Sequence, residues 1–113
     1  MAFSTNKDGI VYLICDADKG LYKIGVTRKT AENRISSLQT GNASELFTIR
    51  RYPTNHPFRM ETMLHNRFSA KHVMGEWFAL TDDDVICFSD TCREIDRIID
   101  SLSENPFFTP NIV

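Results

Sequence analysis

The sequence contains few cysteines and no long apolar run, and these two shortages narrow the classes of protein to which it can belong. Its 113 residues include three cysteines at uneven spacing, Cys15, Cys87 and Cys92. An odd number of cysteines does not suit a disulfide framework and favours a reducing compartment, so we expect a cytoplasmic protein. No segment approaches the ~20 apolar residues that span a bilayer, and the first residues lack the apolar core of a signal peptide. We therefore expect no membrane partner.

The sequence also lacks internal repeats and low-complexity segments. A chain of 113 residues is too short for two domains of ordinary size. Its composition, 42% hydrophobic and 25% charged, is that of a globular protein. We predict one domain over residues 1–113, with a core at about 9–80, a C-terminal helix at about 82–102 and a tail at 103–113.

Net charge is low, at −2, but the charges are unevenly distributed along the chain. Residues 19–59 carry eight Lys or Arg and two Glu, whereas residues 60–113 carry four Lys or Arg and ten acidic residues. A chain this polarised can present a basic face to a polyanion while staying acidic overall. A solvated surface with uneven charge is the simpler alternative, and charge alone does not decide between them.

Two apolar stretches near the N-terminus predict a β-hairpin. They are "GIVYLIC" from residue 9 and "LYKIGVT" from residue 21, and a run of turn formers separates them. A four-residue turn at residues 16–19 would place Tyr12 opposite Lys23, with Gly25 on the same face. A charge and a residue without a side chain are unusual in so short a strand, which makes Lys23 and Gly25 candidates for a site.

The rest of the chain combines helical and extended patterns. "ELFTIRRY" from residue 45 predicts a third strand, and "GEWFAL" from residue 75 predicts a short strand or extended segment. Helical patterns begin at Thr30, at Pro57 (continuing to about Lys71) and after Thr81, where Asp84 completes a capping box. We predict an α/β (α+β) fold with a small, mainly antiparallel three-stranded sheet flanked by helices and a long C-terminal helix.

Six short motifs follow one another in the chain: "IVY", "KIG", "GVT", "RISSLQTGN", "ETMLHNRF" and "GEWF". In this order they resemble the GIY-YIG nuclease family, in particular its short single-domain phage and fungal branch, in which the second signature reads Lys-Ile-Gly. The resemblance covers about residues 9–80. It implies a GIY-YIG-like fold and a metal-dependent endonuclease that hydrolyses DNA phosphodiester bonds.

The resemblance also implies roles for individual residues. Tyr12 matches the tyrosine that takes a proton from the attacking water, Arg34 matches the arginine that contacts the scissile phosphate, and Glu61 matches the glutamate that holds a single Mg²⁺ or Mn²⁺. Lys23 stands where the family has its second tyrosine, and Glu76 lies near the place of a family asparagine. We carry no role over to Glu76.

The same residues fit the chemistry that phosphodiester hydrolysis requires, which is an activated water and neutralised charge on the phosphate. A free tyrosine has a pKa of ~10, and a neighbouring cation favours its phenolate form. We therefore predict that Lys23 tunes Tyr12 or holds a phosphate, and that Gly25 lets the DNA backbone or the first helix approach the sheet. His65 shares a helix face with Glu61 and is predicted to assist the metal, contact a phosphate or orient Glu61. A histidine at the edge of the core is the alternative.

The basic segment supplies the predicted nucleic-acid contacts: Lys23, Thr27, Arg28, Lys29, Arg34 and Asn42. We expect the partner to be DNA, with RNA left open, bound by a monomer or a transient dimer. The alternative is a catalytically weak or inactive nucleic-acid-binding module of the same fold, which the acidic C-terminal half and Lys23 at a tyrosine position both favour. Taken singly, Tyr12 also fits a half-buried core tyrosine, and Glu61 fits a surface charge on a helix.

Overall fold

The structure, a computed structural model, describes residues 8–28 and 45–103. Their elements in chain order are β1 (Gly9–Asp16), β2 (Leu21–Thr27), β3 (Leu46–Thr54), α1 (Pro57–Arg67), a 3₁₀ turn (Ser69–Lys71), β4 (His72–Met74), β5 (Trp77–Phe78), α2 (Asp82–Ile86) and α3 (Phe88–Ser103). The strands form one antiparallel sheet in the order β3-β1-β2-β5-β4. The predicted α+β fold with a long C-terminal helix is confirmed, although this sheet has five strands rather than three.

The two additional strands come from the segment around "GEWF". Gly75 and Glu76 form a turn between β4 and β5, and Gly75 has a φ of 56°, a left-handed conformation that favours glycine. In β5, Trp77 pairs with Lys23, so this hairpin extends the sheet beyond β2. The predicted single extended segment is therefore the second half of a hairpin.

The first hairpin is shifted relative to the predicted pairing. Its turn has four residues, as expected, but Asp16 pairs with Leu21, which moves the turn one residue along the chain. Asp16 Oδ1 accepts hydrogen bonds from the N–H groups of Asp18 and Lys19, and the Gly20 N–H donates to the Asp16 carbonyl at 2.9 Å. These bonds fix the turn on residues 17–20.

The shift changes which residues lie directly opposite each other on β1 and β2. Tyr12 pairs with Gly25, and Lys23 pairs with Ile14. The prediction that Tyr12 lies opposite Lys23 is therefore wrong. Because the pairing moves by two residues, and side chains alternate with a period of two, Tyr12, Lys23 and Gly25 still share one face of the sheet, as predicted.

The main core lies between the helices and the other face of the sheet. Its buried residues come from the sheet, from α1 and from α3, and include Val11, Leu13, Ile24, Met60, Leu64, Phe88, Cys92, Ile95 and Ile99. Burial among these side chains raises the pKa of the Cys92 thiol to about 12, as expected for a cysteine that serves as a core residue. On the Tyr12 face, a smaller cluster contains Tyr12, Ile14 and Leu46, with Trp77 packed against it.

The helices differ from the predicted bounds in two places. The helix that starts at Pro57 ends at Arg67 and continues as a separate 3₁₀ turn, and the predicted helix at about 82–102 is divided at Cys87 into α2 and α3. The helix predicted from Thr30 lies outside the described residues, as do residues 104–113 of the predicted tail. Of the helices described, none is long and apolar enough to cross a membrane.

Candidate functional site at the edge of strand β2

Gly25 is a glycine because the ring of Tyr12 occupies the space above it. A Cβ at position 25 would lie 2.6 Å from Tyr12 Cζ and closer still to the hydroxyl oxygen, which real side chains do not tolerate. Tyr12 itself is fully buried. The expectation that the DNA backbone or the first helix uses this space is therefore wrong, since the tyrosine ring fills it and carries its hydroxyl over β2.

His65 reaches the same stretch of β2 from helix α1. Its Nε2 lies 2.9 Å from the carbonyl oxygen of Ile24, the residue before Gly25. A carbonyl can only accept, so Nε2 carries the proton, and in the neutral ring Nδ1 is the basic atom. The imidazole also packs edge-on against Phe78, with ring centroids 4.9 Å apart. The structure thus places His65 at the edge of the core, where it fixes α1 against β2.

Glu61 lies on α1 between a point that packs against β1 and a point that is tied to β2. At the start of the helix, Pro57 packs against Gly9, and a Cβ on that glycine would meet Pro57 at 2.9 Å and the Thr27 carbonyl at 3.1 Å. One turn after Glu61, His65 binds the Ile24 carbonyl. Glu61 is half-buried and shares the His65 face of α1. Glu61 therefore lies one helical turn before the point at which α1 is tied to β2.

Lys23 forms an ion pair that the sequence did not suggest. Its Nζ lies 2.7 Å from Glu76 Oε1. This oxygen is buried, and the angle between the two groups does not meet the geometry of a hydrogen bond, so the contact is an ion pair. The Lys23 side chain is only 10% exposed, and its Nζ lies 5.8 Å from the centre of the Trp77 ring. Lys23 is therefore neutralised by Glu76 and sits two residues along the strand from the glycine under Tyr12.

The remaining predicted contacts divide between the described and undescribed parts of the chain. Thr27 ends β2, and Arg28 is exposed just beyond it, with its guanidinium carbon 5.6 Å from the centre of the Phe58 ring. The other three predicted residues, Lys29, Arg34 and Asn42, lie outside the described residues.

Arg51 is a cation on the Tyr12 face that the sequence analysis missed. It pairs directly with Tyr12 across β1 and β3, and it is exposed. Strict alternation along "ELFTIRRY" groups Arg50, not Arg51, with Leu46. A register shift opposite Leu13 and Ile14 reverses that grouping, and no local sequence signal marks such a bulge.

The described residues suit a metal only together with a substrate. Within residues 8–28 and 45–103, no group of three or more His, Cys, Asp or Glu side chains is arranged to hold an ion. Mg²⁺ commonly binds to proteins through one or two carboxylates and completes its shell with water and substrate phosphate oxygens. Glu61 meets that description, so the metal would be shared between the protein and the phosphate.

Comparison with known proteins changes the family assignment. The family model that matches is the T5orf172 domain, over residues 9–102. Neither the curated proteins nor the solved structures compared with the chain gave a match.

The assignment to the GIY-YIG family is therefore wrong. "IVY" and "KIG" are three-residue motifs made largely of strand-forming residues, and they lie in a hairpin whose glycine is explained by the ring of Tyr12. The roles taken from that family lose its support and now depend on the geometry of β2 and α1. The match also extends through nearly all of α3, beyond the range of the motifs. The chain belongs to the T5orf172 domain family.

Proposed function

We propose that this protein is a metal-dependent endonuclease that hydrolyses phosphodiester bonds of DNA at the edge of β2. One observation carries the proposal: the Tyr12 hydroxyl lies over Gly25, and His65, one turn after Glu61 on α1, binds the carbonyl of the preceding residue, Ile24. The phenol of Tyr12, the carboxylate of Glu61 and the ammonium group of Lys23 would provide the functions that phosphodiester hydrolysis requires.

In the proposed mechanism, each side chain has one task. Tyr12, in its phenolate form, accepts the proton of the attacking water at its side-chain oxygen and becomes the neutral phenol. Glu61 would hold Mg²⁺ or Mn²⁺, and the ion would supply Lewis-acid stabilisation of the phosphate charge. His65 is a positioning residue, because its Nε2 is engaged by the Ile24 carbonyl.

Lys23 contributes a positive charge for which the substrate phosphate competes with the carboxylate of Glu76. In the free protein its charge is balanced by that carboxylate at 2.7 Å. A phosphate that approaches the Tyr12 face competes for the same ammonium, so the charge becomes available when substrate binds. Lys23, which is poorly hydrated, is therefore paired with an anion at both stages: with Glu76 before the substrate binds and with phosphate afterwards.

A second function, a nucleic-acid-binding module without turnover, is favoured by the burial of Tyr12. A tyrosine that is 0% exposed is a common core residue and is poorly placed to meet a water molecule from bulk solvent. The neutralisation of Lys23 by Glu76 points the same way. The two functions predict different effects of removing the Glu61 carboxylate: a nuclease loses nicking activity, whereas a binding module keeps its affinity for DNA.

The deciding experiment is nicking of a supercoiled plasmid with Mg²⁺ or Mn²⁺. We expect the wild type to nick, a chelator to stop it, and Glu61→Gln and Tyr12→Phe each to lose about 100-fold or more of the rate. Glu94→Gln removes an exposed carboxylate on α3 and is the matched control, with unchanged nicking expected. If the wild type leaves plasmid and branched DNA intact while Glu61→Gln binds DNA as well or better, the protein is a binding module.

A further inference from the structure

We propose that the site takes an unpaired stretch of a nucleic-acid strand and holds it between two aromatic–cation pairs, one towards each end of β2. The inference rests on the proposed function in one respect, which is that the phosphate between the two pairs is the one that is hydrolysed. It adds the class of substrate, which is single-stranded rather than duplex nucleic acid.

The first pair is Trp77 with Lys23, next to a cleft. The cleft has a volume of about 70 Å³ and lies between the β1–β2 turn and the β4–β5 hairpin, with a lining of Asp16, Lys19, Leu21, Val73, Met74 and Trp77. Val73 and Met74 are 50% and 68% exposed, so the apolar part of the lining is open to solvent. A flat apolar base beside an indole, with Lys19 at the rim for its phosphate, suits this lining.

The second pair is Phe58 with Arg28, at the other end of β2. Phe58 is 57% exposed, although its neighbour Pro57 is buried against Gly9. The Arg28 guanidinium lies 5.6 Å from the centre of the Phe58 ring. An exposed phenyl ring beside an arginine offers stacking to a base and charge to the adjoining phosphate.

The spacing of the pairs matches a short single strand. Lys23 and Arg28 are five residues apart, which is ~17 Å along an extended strand. At about 3.4 Å per stacked base, that distance accommodates about five nucleotides. Between the two pairs lie Gly25, with the Tyr12 hydroxyl over it, and the Ile24 carbonyl held by His65. Trp77 lies on the Tyr12 face of the sheet and Phe58 on the side that α1 covers, so the bound stretch would cross the edge of β2 near Gly25 and bring a phosphate to the proposed reaction centre.

Unpaired bases are required because stacking uses the faces of the bases. In a duplex those faces are covered by neighbouring base pairs, so Trp77 and Phe58 would meet only the sugar–phosphate edge. In the described part of the sheet, β5 pairs with β2 only at Tyr22 and Lys23. The strand edge from Gly25 to Thr27 thus continues past the hairpin towards Phe58.

The test uses Trp77, the one tryptophan of the chain, as an internal probe. Wild-type protein with a chelator present, to prevent cleavage, is titrated with DNA oligonucleotides of three to twelve nucleotides and with a duplex of the same sequence. We expect quenching of tryptophan emission by the single strands, an affinity that stops rising near about five nucleotides, and weaker binding of the duplex at equal salt.

Phe58→Ala and the matched control Phe47→Ala complete the test, with a labelled oligonucleotide as the readout. We expect Phe58→Ala to weaken single-strand binding by about 5-fold to 100-fold. Phe47 is 45% exposed on β3, and its loss is expected to leave binding unchanged. Equal affinity for single strand and duplex, or no effect of Phe58→Ala, overturns the inference even if the plasmid is nicked. Preferential single-strand binding without any cleavage leaves the inference standing and overturns the nuclease.

Discussion

Tyr12 and Gly25 share one space on paired strands, and neither residue type can be changed independently of the other. The ring fills the volume that any side chain at position 25 would need. This explains why a glycine lies in the centre of a strand. A glycine there normally lowers stability, because it has no side chain to pack and loses more backbone entropy on folding than other residues.

Gly25→Ala is expected to destabilise the protein by about 1–3 kcal/mol, because the new methyl group meets a buried ring that has little room to move. Urea unfolding of Gly25→Ala, Tyr12→Leu and the double variant checks this. The smaller leucine should relieve the overlap, so the double variant should lose less stability than the two single losses together. Additive losses would show that the two positions are not coupled.

At the residue scale, the sequence correctly predicted which residues share one face of the sheet, but not which residues lie in direct contact. Strand alternation alone places Tyr12, Lys23 and Gly25 together, since it depends only on the period of two. Direct pairing depends on the turn, and there the carboxylate of Asp16 decided the register. The Lys23–Glu76 ion pair joins positions 53 residues apart through a hairpin that had not been predicted, so it was missed.

At the element scale, the start of α2 shows how several weak interactions fix a short helix. Thr81 accepts from the Asp84 N–H, Asp84 accepts from the Thr81 N–H, and Lys71 donates to the same carboxylate. Burial alone would raise the pKa of Asp84, but these hydrogen bonds outweigh burial and hold it below its ordinary value. The capping box was predicted because its residues are adjacent in sequence.

Asp84→Asn is expected to lower the free energy of unfolding at neutral pH by about 1 kcal/mol. A carboxyl whose pKa is depressed by folding adds stability above its unfolded pKa of ~3.9, and that stability is lost as pH falls through the folded value. Unfolding measured from pH 7 down to acid should therefore show a shallower loss for Asp84→Asn than for wild type. Asp83→Asn, an exposed acid in the same turn, should keep the wild-type slope.

The β4–β5 hairpin marks the limit of prediction for elements. Its strands have three and two residues, and every residue of β4 is exposed, so neither periodicity nor burial leaves a pattern in the sequence. It forms through tertiary pairing with β2, which local propensity does not encode. Long elements with a buried stripe, such as α3, were predicted more closely.

At the scale of the whole molecule, a polar network joins β3 to the C-terminal helix. The hydroxyls of Tyr52 and Thr54 donate to the two oxygens of Asp96, at 2.9 and 2.7 Å. Nearby, His56 Nε2 lies 2.9 Å from Asp100 Oδ1. Burial, followed by the hydrogen bond to Asp96 and repulsion from its charge, raises the pKa of Tyr52 to about 12.

Ultraviolet titration of tyrosinate should show an ionisation near pH 12 that comes from Tyr52, and Tyr52→Phe should remove this contribution. Tyr22→Phe is the control and should leave that step in place. Because folding raises the pKa from ~10, Tyr52 adds stability below about pH 10 that is lost as pH rises through 12. Tyr52→Phe should also cost about 1–2 kcal/mol at neutral pH, because the hydroxyl donates to a carboxylate. An unchanged absorbance step near pH 12 in Tyr52→Phe would contradict the assignment.

The two outer strands of the described sheet also bear on self-association. β3 carries two arginines and Pro53, which lacks an N–H group, and β4 offers only three residues for pairing. A proline, repeated positive charge and a short edge each discourage a further strand from docking. Growth of the sheet from one molecule to the next is therefore disfavoured at both sides. Within the described residues, a contact between two copies would therefore fall to the helices rather than to the edges of the sheet.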